Sequence, residues 1–314
     1  MNAIVIGNKK QRGTAAEWAH TIFWAGLIAI LFRSFLLEPF NIPSGSMIPT
    51  LQVGDHLFVT KWNYGYSRFS FPFGSWNIWS GRFFKPGAPK RGDIIVFRNP
   101  NENVDYVKRL IGLPGDTVQM RAGRLYINGA IVRRENPRRF IIADLFCEHD
   151  KARGFLYADR RGKPLLIKDG KIFENGAPVD FNYTVIYQNP AGYRAKNCAV
   201  YEGIEYAEIL PNGVKHQILE LHDDEAPTAY KPATSDNTGA FTVPAGHYFM
   251  MGDDRDLSDD SRFNLGFVPF DNFMGKVWFV FYSHNYHSPL LVAWEWINKM
   301  RWDRFGAIPA KNRE

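Results

Sequence analysis

Phe40-Asn41-Ile42-Pro43-Ser44-Gly45-Ser46-Met47-Ile48-Pro49-Thr50-Leu51 joins a long apolar run to a series of short β-like runs. Ser44 and Ser46 flank Gly45, and Pro43 and Pro49 bracket all three. Glycine permits backbone angles closed to other residues, and proline fixes φ. Such a segment can hold a hydroxyl in a strained, exposed place. The same composition also makes an ordinary surface turn. What lies on either side has to decide between the two.

Upstream, Glu17 precedes W-A-H-T-I-F-W-A-G-L-I-A-I-L-F-R-S-F-L-L, which ends at Leu37. About 20 residues of this kind cross a bilayer as a helix. Residues 17–37 are therefore expected to form one transmembrane helix, with Arg33 snorkelling to the headgroups. A buried core helix is the plainer alternative. A cleavable signal peptide would want small residues at a cut site, and Ser34-Phe35-Leu36-Leu37-Glu38-Pro39 lacks that pattern. Residues 1–16 carry Lys9, Lys10 and Arg12 and no acidic residue. The positive-inside rule keeps that segment cytoplasmic and puts everything after Pro39 on the other side.

Downstream, helical periodicity is scarce and β-branched or aromatic runs alternate with turn signals. His56–Thr60, Asp93–Phe97, Thr184–Tyr187, His247–Met251 and Lys276–Tyr282 read as strands. Leu125-Tyr126-Ile127 runs into Asn128-Gly129, a hairpin cue. The fold class expected is mainly β: an antiparallel β-sheet catalytic domain over 38–129 and 241–287, with an inserted β subdomain over 130–240. One N-terminal transmembrane helix precedes it, and a basic, Trp-rich tail over 288–314 follows.

The chain has 314 residues, 45% of them hydrophobic and 22% charged, as in ordinary folded proteins. Its net charge of +6 suits an anionic partner. Lys and Arg are dispersed, however, with no RNA-binding signature or zinc-finger spacing, so membrane lipid is the expected partner and nucleic acid is not. Cys147 and Cys198 are too far apart for a CxxC motif and could equally pair or stay free. The aromatic stretch Trp62–Lys90 either rests on the membrane or tucks against the β core. The tail Leu290–Arg304 is expected to be a short helix, at a membrane interface or packed on its own domain.

Further stretches carry chemistry. Lys108 sits among Tyr106, Val107, Leu110 and Ile111. A strand lysine is commonly a solvated edge residue. If buried instead, desolvation pulls its pKa down from about 10.4 toward the range of a general base for a serine hydroxyl. The acidic run Asp253–Asp260 fails the calcium-loop template, because from Asp254 the sixth position is Asp259 and the twelfth is Leu265. Its alternating Asp, Arg and Ser suggest a tight loop held by local bonds, with Ser258 free to orient a catalytic group. His284 and His287 have no carboxylate or thiol at ligand spacing, and no metal is expected.

Taken together, R-S-F-L-L-E-P-F, N-I-P-S-G-S-M-I-P-T-L, R-G-D-I-I-V-F from Arg91, D-Y-V-K-R-L-I-G-L-P-G-D from Asp105, and G-D-D-R-D-L-S-D-D-S-R from Gly252 with G-F-V-P from Gly266 resemble bacterial type I signal peptidases. Order and spacing match, and the motifs cover about a sixth of the chain. The resemblance implies a membrane serine endopeptidase with a Ser-Lys dyad that needs no cofactor. Ser46 would be the nucleophile and Lys108 the general base. Ser44 would complete an oxyanion hole with the backbone N–H of Ser46, and Ser258 would orient Lys108. Asp260 and Arg262 would support that loop as an ion pair. Phe40, Ile42, Pro43, Met47, Leu51, Tyr106 and Val107 would line substrate pockets suited to Ala-x-Ala sites in preprotein signal peptides.

The implied location is the bacterial cytoplasmic (inner) membrane, as a single-pass monomer with its catalytic domain on the periplasmic side. Two departures stand out. Many family members from Gram-negative bacteria carry two anchors where this chain shows one, and the acidic loop has G-D-D-R-D-L-S where G-D-N-R-D-N-S is usual. The alternative from another class is a non-catalytic, membrane-anchored scaffold that keeps the fold.

Overall fold

The structure, a computed structural model, describes residues 15–71, 79–84, 87–144, 155–158, 165–168, 171–174, 177–178, 184–186, 199–220, 236–283 and 300–306. Lys9, Lys10, Arg12, Cys147, Cys198, His284, His287 and residues 290–299 lie outside that set.

The apolar run folds as α1, Ala15–Phe35, two residues earlier at each end than the sequence suggests. Glu17 in its first turn and Arg33 in its last both favour the helix dipole. Trp18, Ile22, Phe23, Ile28 and Leu31 are all exposed, and Ser34 is the helix's one buried residue. Its 21 residues extend about 31 Å, enough to cross the hydrocarbon core of a bilayer. The helix stops because Pro39 disfavours helical angles just before it. After the single residue Leu36, strand β1 (Leu37–Asn41) begins. It pairs with β2 (Asp55–Thr60), from Leu37 against Thr60 to Asn41 against His56. Pro39 is tolerated because β1 is an edge strand.

The main sheet also contains β3 (Ile94–Arg98) and β4 (Asp105–Gly112), followed by strands from the far end of the chain. Between them run β5 (Thr117–Arg121), β6 (Arg124–Ile127), β7 (Ala130–Ile131) and β8 (Arg133–Asp144). Then come β9 (Phe155–Ala158), β10 (Leu165–Lys168), β11 (Lys171–Glu174), β12 (Ala177–Pro178) and β13 (Thr184–Ile186). The series ends with β14 (Ala199–Ile209), β15 (Lys215–Glu220), β16 (Phe241–Thr242), β17 (His247–Met251), β18 (Val268–Pro269) and β19 (Phe273–Ser283). The main sheet has the order β1-β2-β19-β3-β4-β17-β18, antiparallel throughout.

Both faces of this sheet are buried, and strand alternation divides the residues between them. Ile94 and Val96 join Leu57, Val59, Val277 and Val280 on one face. Ile95 and Phe97 join Leu110, Met250 and Phe273 on the other. A second sheet, β16-β5-β6-β7, turns at Asn128 (φ 53°) and Gly129 (φ 78°), the paired positive angles of a type I′ hairpin. A third, β13-β9-β8-β14-β15, carries the long ribbon of β8 against β14.

The aromatic stretch after β2 gathers beside the end of α1. Phe35 lies 5.3 Å from Tyr66 and 5.4 Å from Phe71, ring to ring. Trp62 and Phe84 face solvent. The described part of the tail, 300–306, docks on the main sheet through a buried carboxylate. Asp55 accepts from Ser283 Oγ at 2.6 Å, from Arg301 Nη2 at 3.3 Å and from Arg304 Nε at 3.2 Å, and its other oxygen accepts from the Gln52 N–H at 2.8 Å. These two arginines, which the sequence left either at a membrane interface or packed on their own domain, face protein. Removing Asp55 strands two largely buried guanidiniums, so Asp55→Ala should cost about 3 kcal/mol in an unfolding titration. A loss below about 1 kcal/mol, the worth of a surface pair, would show that the tail contributes little.

Candidate active site

The serine stretch leaves β1 at Asn41 and is pinned at once, with the Ile42 N–H on the Asp55 carbonyl at 2.8 Å. Ile42, Met47, Ile48 and Leu51 are buried. Ile42, Met47 and Leu51 enter the core cluster under the sheet, with Phe40 and Val107 against its margin. Burying those side chains turns Ser44 and Pro43 outward and leaves Ser46 half-buried. A turn closes from the Ile48 N–H to the Gly45 carbonyl at 2.9 Å. Gly45, expected to supply an unusual backbone angle, does not sit in the left-handed region. That role falls to Gly54 (φ 86°), at the entry to β2.

Lys108 lies in β4 opposite Ile95 of β3 and is only 3% exposed. Its Nζ sits 5.6 Å from the centre of the Tyr106 ring. Comparison with the other deeply buried lysine is informative. Lys61 reaches Glu38 Oε2 at 2.7 Å. Lys108 forms no ion pair among the described residues, although Asp260, Asp259 and Asp254 act on it from farther away. Burial therefore dominates and pulls its pKa down to about 8, against the pull of those carboxylates and helped by Arg262. At pH 7 about one Lys108 side chain in ten is uncharged, against about one in a thousand for an ordinary lysine.

The acidic loop, 252–262, packs on both elements. The Asp254 N–H donates to the Ser46 carbonyl at 3.2 Å. Gly252 is the closest point: a Cβ there would lie 2.2 Å from Ser258 Oγ and 2.5 Å from the Ser46 carbonyl oxygen. Ser258 Oγ is buried with no hydrogen-bond partner among the described residues, an arrangement that costs about 1–3 kcal/mol. Asp260 and Arg262 form the expected ion pair, Oδ1 to Nε and Oδ2 to Nη2 both at 2.9 Å. Asp260 also accepts from the Gly252 N–H at 3.0 Å. Burial would raise its pKa, but Arg262 and Lys108 outweigh that and hold it low. No hydrogen bond links the side chains of Ser46, Lys108 and Ser258, and catalytic contacts commonly close only around substrate.

Asp254 is one of two residues that stand where the family pattern has Asn, the other being the exposed Leu257. Burial pushes the Asp254 pKa up to about 8, so Asp254 is largely neutral at pH 7 and electrically close to the amide it replaces. Its Oδ1 accepts from the Leu257 N–H at 3.1 Å.

Sequence reasoning missed the residues that brace this loop. Arg109, next to Lys108, grips Asp253 through Nε–Oδ1 at 2.7 Å and Nη2–Oδ2 at 2.6 Å, and Thr50 Oγ1 donates to the same carboxylate at 2.5 Å. Arg255 is buried against Glu208 of β14, with Nη1–Oε1 at 2.9 Å and a second, short contact between Nη2 and Oε2. Leu219 of β15 bonds the loop backbone twice, to the Asp253 carbonyl and from the Arg255 N–H. The stretch 130–240 had shown no cue, since Glu208 and Arg255 are 47 residues apart. Only the rule that a buried arginine needs a partner points to such a residue.

The family model described as signal peptidase, peptidase S26, matches residues 15–148 and 161–282. Among curated relatives, signal peptidase I of Rickettsia typhi is 34% identical over 281 residues, covering 88% of this chain and 83% of that protein. Signal peptidase I of Rickettsia conorii is 35% identical over 272 residues, covering 85% and 79%. A crystal structure of a signal peptidase I from Enterococcus faecalis V583 overlaps 60% of this chain and 96% of its own, at 23% identity and a TM-score of 0.25.

Two outcomes follow from the geometry. Gly252→Ala must displace Ser258 or the Ser46 loop, and a shift of about 1 Å costs on the order of 100-fold in rate. Peptide-cleavage assays on a folded variant should show that loss, and activity within a few-fold of wild type would remove Gly252 from the site. Asp254→Asn should leave cleavage at pH 7 nearly unchanged, because one neutral group replaces another. From about pH 8 upward the wild-type Asp254 ionises and raises the Lys108 pKa, and the Asn variant cannot, so with Lys108 as the base the upper part of the rising limb of the pH–kcat/KM profile should move to lower pH. A limb that stays put or moves up would contradict the assigned coupling.

Proposed function

The chain belongs to the signal peptidase family, peptidase S26, and on that footing we propose that it is a membrane-anchored serine endopeptidase that removes N-terminal signal peptides from exported preproteins, cutting after Ala-x-Ala-like sites. The observation that carries the reading is Lys108, a buried lysine with no ion pair among the described residues and a pKa of about 8, beside the loop that bonds the Ser46 backbone.

The chemistry needs only groups in this chain. Ser46 Oγ attacks the scissile carbonyl carbon while neutral Lys108 Nζ takes the hydroxyl proton. Charge developing on the carbonyl oxygen is held by the Ser44 hydroxyl and the Ser46 N–H. Collapse breaks the C–N bond, the departing amine receives the proton from Lys108, and an acyl-Ser46 ester remains. Lys108 then takes a proton from water as the hydroxide adds, and returns it to Ser46 Oγ as the ester C–O bond breaks, which releases the signal peptide acid and restores neutral Lys108. Ser258 Oγ, buried without a partner, has a hydroxyl available to hold Lys108 Nζ in line. In a non-catalytic scaffold, neither the unpartnered hydroxyl nor the unpaired buried lysine would return anything for its cost.

We place α1 in the bacterial inner membrane with the β domains on the periplasmic side, in keeping with Lys9, Lys10 and Arg12 ahead of the helix. The substrate's apolar segment then lies in the same bilayer, and its cut site emerges beside the enzyme. In this reading the protein works as a monomer in contact with lipid. Residues 38–129 and 241–287 make the catalytic domain, and the insertion 130–240 braces the acidic loop through β14 and β15.

The test is cleavage of a preprotein by the purified protein. Ser46→Ala and Lys108→Ala should each abolish cutting at the Ala-x-Ala site, while wild type cuts there with a rate that rises through pH 8 as Lys108 loses its proton. Full activity in Lys108→Ala, or a flat profile from about pH 6 to 9, would remove the lysine base.

A further inference from the structure

Helix α1 is joined to the β domain with no linker. Only Leu36 separates Phe35, the last helical residue, from Leu37, the first of β1. The domain takes up the helix's last carbonyls: Tyr66 Oη donates to Phe35 O at 2.9 Å, and the Lys61 N–H donates to Leu36 O at 3.2 Å. Phe35 itself packs edge-on against both Tyr66 and Phe71.

An ionic triad crosses this junction. Arg33, in the last turn of α1, reaches Glu38 Oε1 with Nε at 2.7 Å and Nη2 at 2.6 Å. Glu38, on β1, meets Lys61 Nζ through its other oxygen at 2.7 Å, and Lys61 also donates to the Ser70 carbonyl. The side chains of Glu38 and Lys61 are 6% and 2% exposed, whereas that of Arg33 is 57% exposed. Lys61 meets only Oε2, so Oε1 of this buried carboxylate takes its two donors from the helix, through Arg33 Nε and Nη2. Two charge-assisted bonds from one planar guanidinium hold the end of the helix to the domain.

This attachment matters because of where β1 leads. The strand that starts at the lock runs straight into Ser44 and Ser46, and the helix that ends there is long enough to fix its own depth in a bilayer. We propose that Arg33, clamped through Glu38 to Lys61, is a specificity-determining residue: the lock holds Ser46 at one height above the membrane and so selects the length of substrate h-region that delivers its cut site there. This rests on the signal-peptide reading above. A signal peptide anchored in the same bilayer presents its cut site at a height set by its apolar segment. A rigid enzyme measures that height. An enzyme on a loose tether does not.

The experiment uses the full chain in vesicles and preproteins with h-regions of about 8, 12 and 16 leucines ahead of one Ala-x-Ala site, spanning the natural range. A soluble peptide carrying only the cut site serves as the second substrate. Wild type should prefer one length. Arg33→Gln should flatten that preference by about fivefold, the lower end of ordinary coupling, with kcat/KM on the soluble peptide unchanged. Glu38→Gln should flatten it as well, and Arg33→Lys should restore much of it. An unaltered length preference in Arg33→Gln overturns the proposal. A parallel fall on both substrates also overturns it, since the residue would then act on the fold or the chemistry. If wild type cuts neither substrate, the proposed function itself fails and this inference falls with it.

Discussion

A lysine ammonium removed from water and given no adjacent carboxylate is the constraint on which the rest of this structure depends. Lys108 is held in that state by position. It lies on an inner strand between β3 and β17, so no rearrangement of an edge can bring it to solvent. Three carboxylates of the acidic loop act on it from a distance, enough to moderate the desolvation and too far to form a pair. Were one of them in contact, Lys108 would be an ordinary buried ion pair, charged well above neutral pH and useless as a base. The Asp260–Arg262 pair keeps the local field weak, and Asp254 adds to it only as it ionises near pH 8.

Most other buried charges around this point are satisfied. Arg109 holds Asp253, Arg255 holds Glu208, and Lys61 holds Glu38. Pairs of this kind add little net stability compared with apolar residues, but losing one partner is expensive. Their effect is positional. Arg109 ties β4 to the acidic loop, and Thr50 on the same Asp253 carboxylate ties in the serine stretch. Arg255 and Leu219 tie the loop to β14 and β15. The loop that faces Lys108 is therefore fixed from three sides while Lys108 itself remains unpaired.

Local features were legible in the sequence. The length and composition of α1, the β-branched runs and the Asn128-Gly129 turn each express a short-range rule, and the structure has each with its ends within three residues. The burial of Lys108 was the less common of two readings its apolar neighbours in sequence left open, a solvated edge lysine being the other, and the structure has it buried. What could not be read was pairing at a distance. Nothing in Glu208 distinguishes it from a surface glutamate on a strand until Arg255 is set against it. Arg301 and Arg304 could be read at a membrane interface or packed on their own domain, and nothing local decides between the two because their partner, Asp55, lies some 250 positions earlier. Gly45 drew attention through its setting, but Gly252, an unremarked residue at the head of the acidic run, is the glycine whose missing side chain lets Ser258 and Ser46 approach.

The distances along the chain have one more consequence. Ser46 follows the first strand of the main sheet, Lys108 lies in β4, and Ser258 follows β17, so the site draws on the beginning, middle and end of one sheet. Contacts of such long range form late and together. A local opening that releases the acidic loop dismantles the site while leaving the sheet's cores intact, because the loop contributes charges and backbone bonds there and almost no apolar burial. The ion pairs to Arg109, Arg255 and Arg262 thus matter more for the lifetime of the assembled site than for the stability of the fold, and that accounts for their density around a loop only eleven residues long.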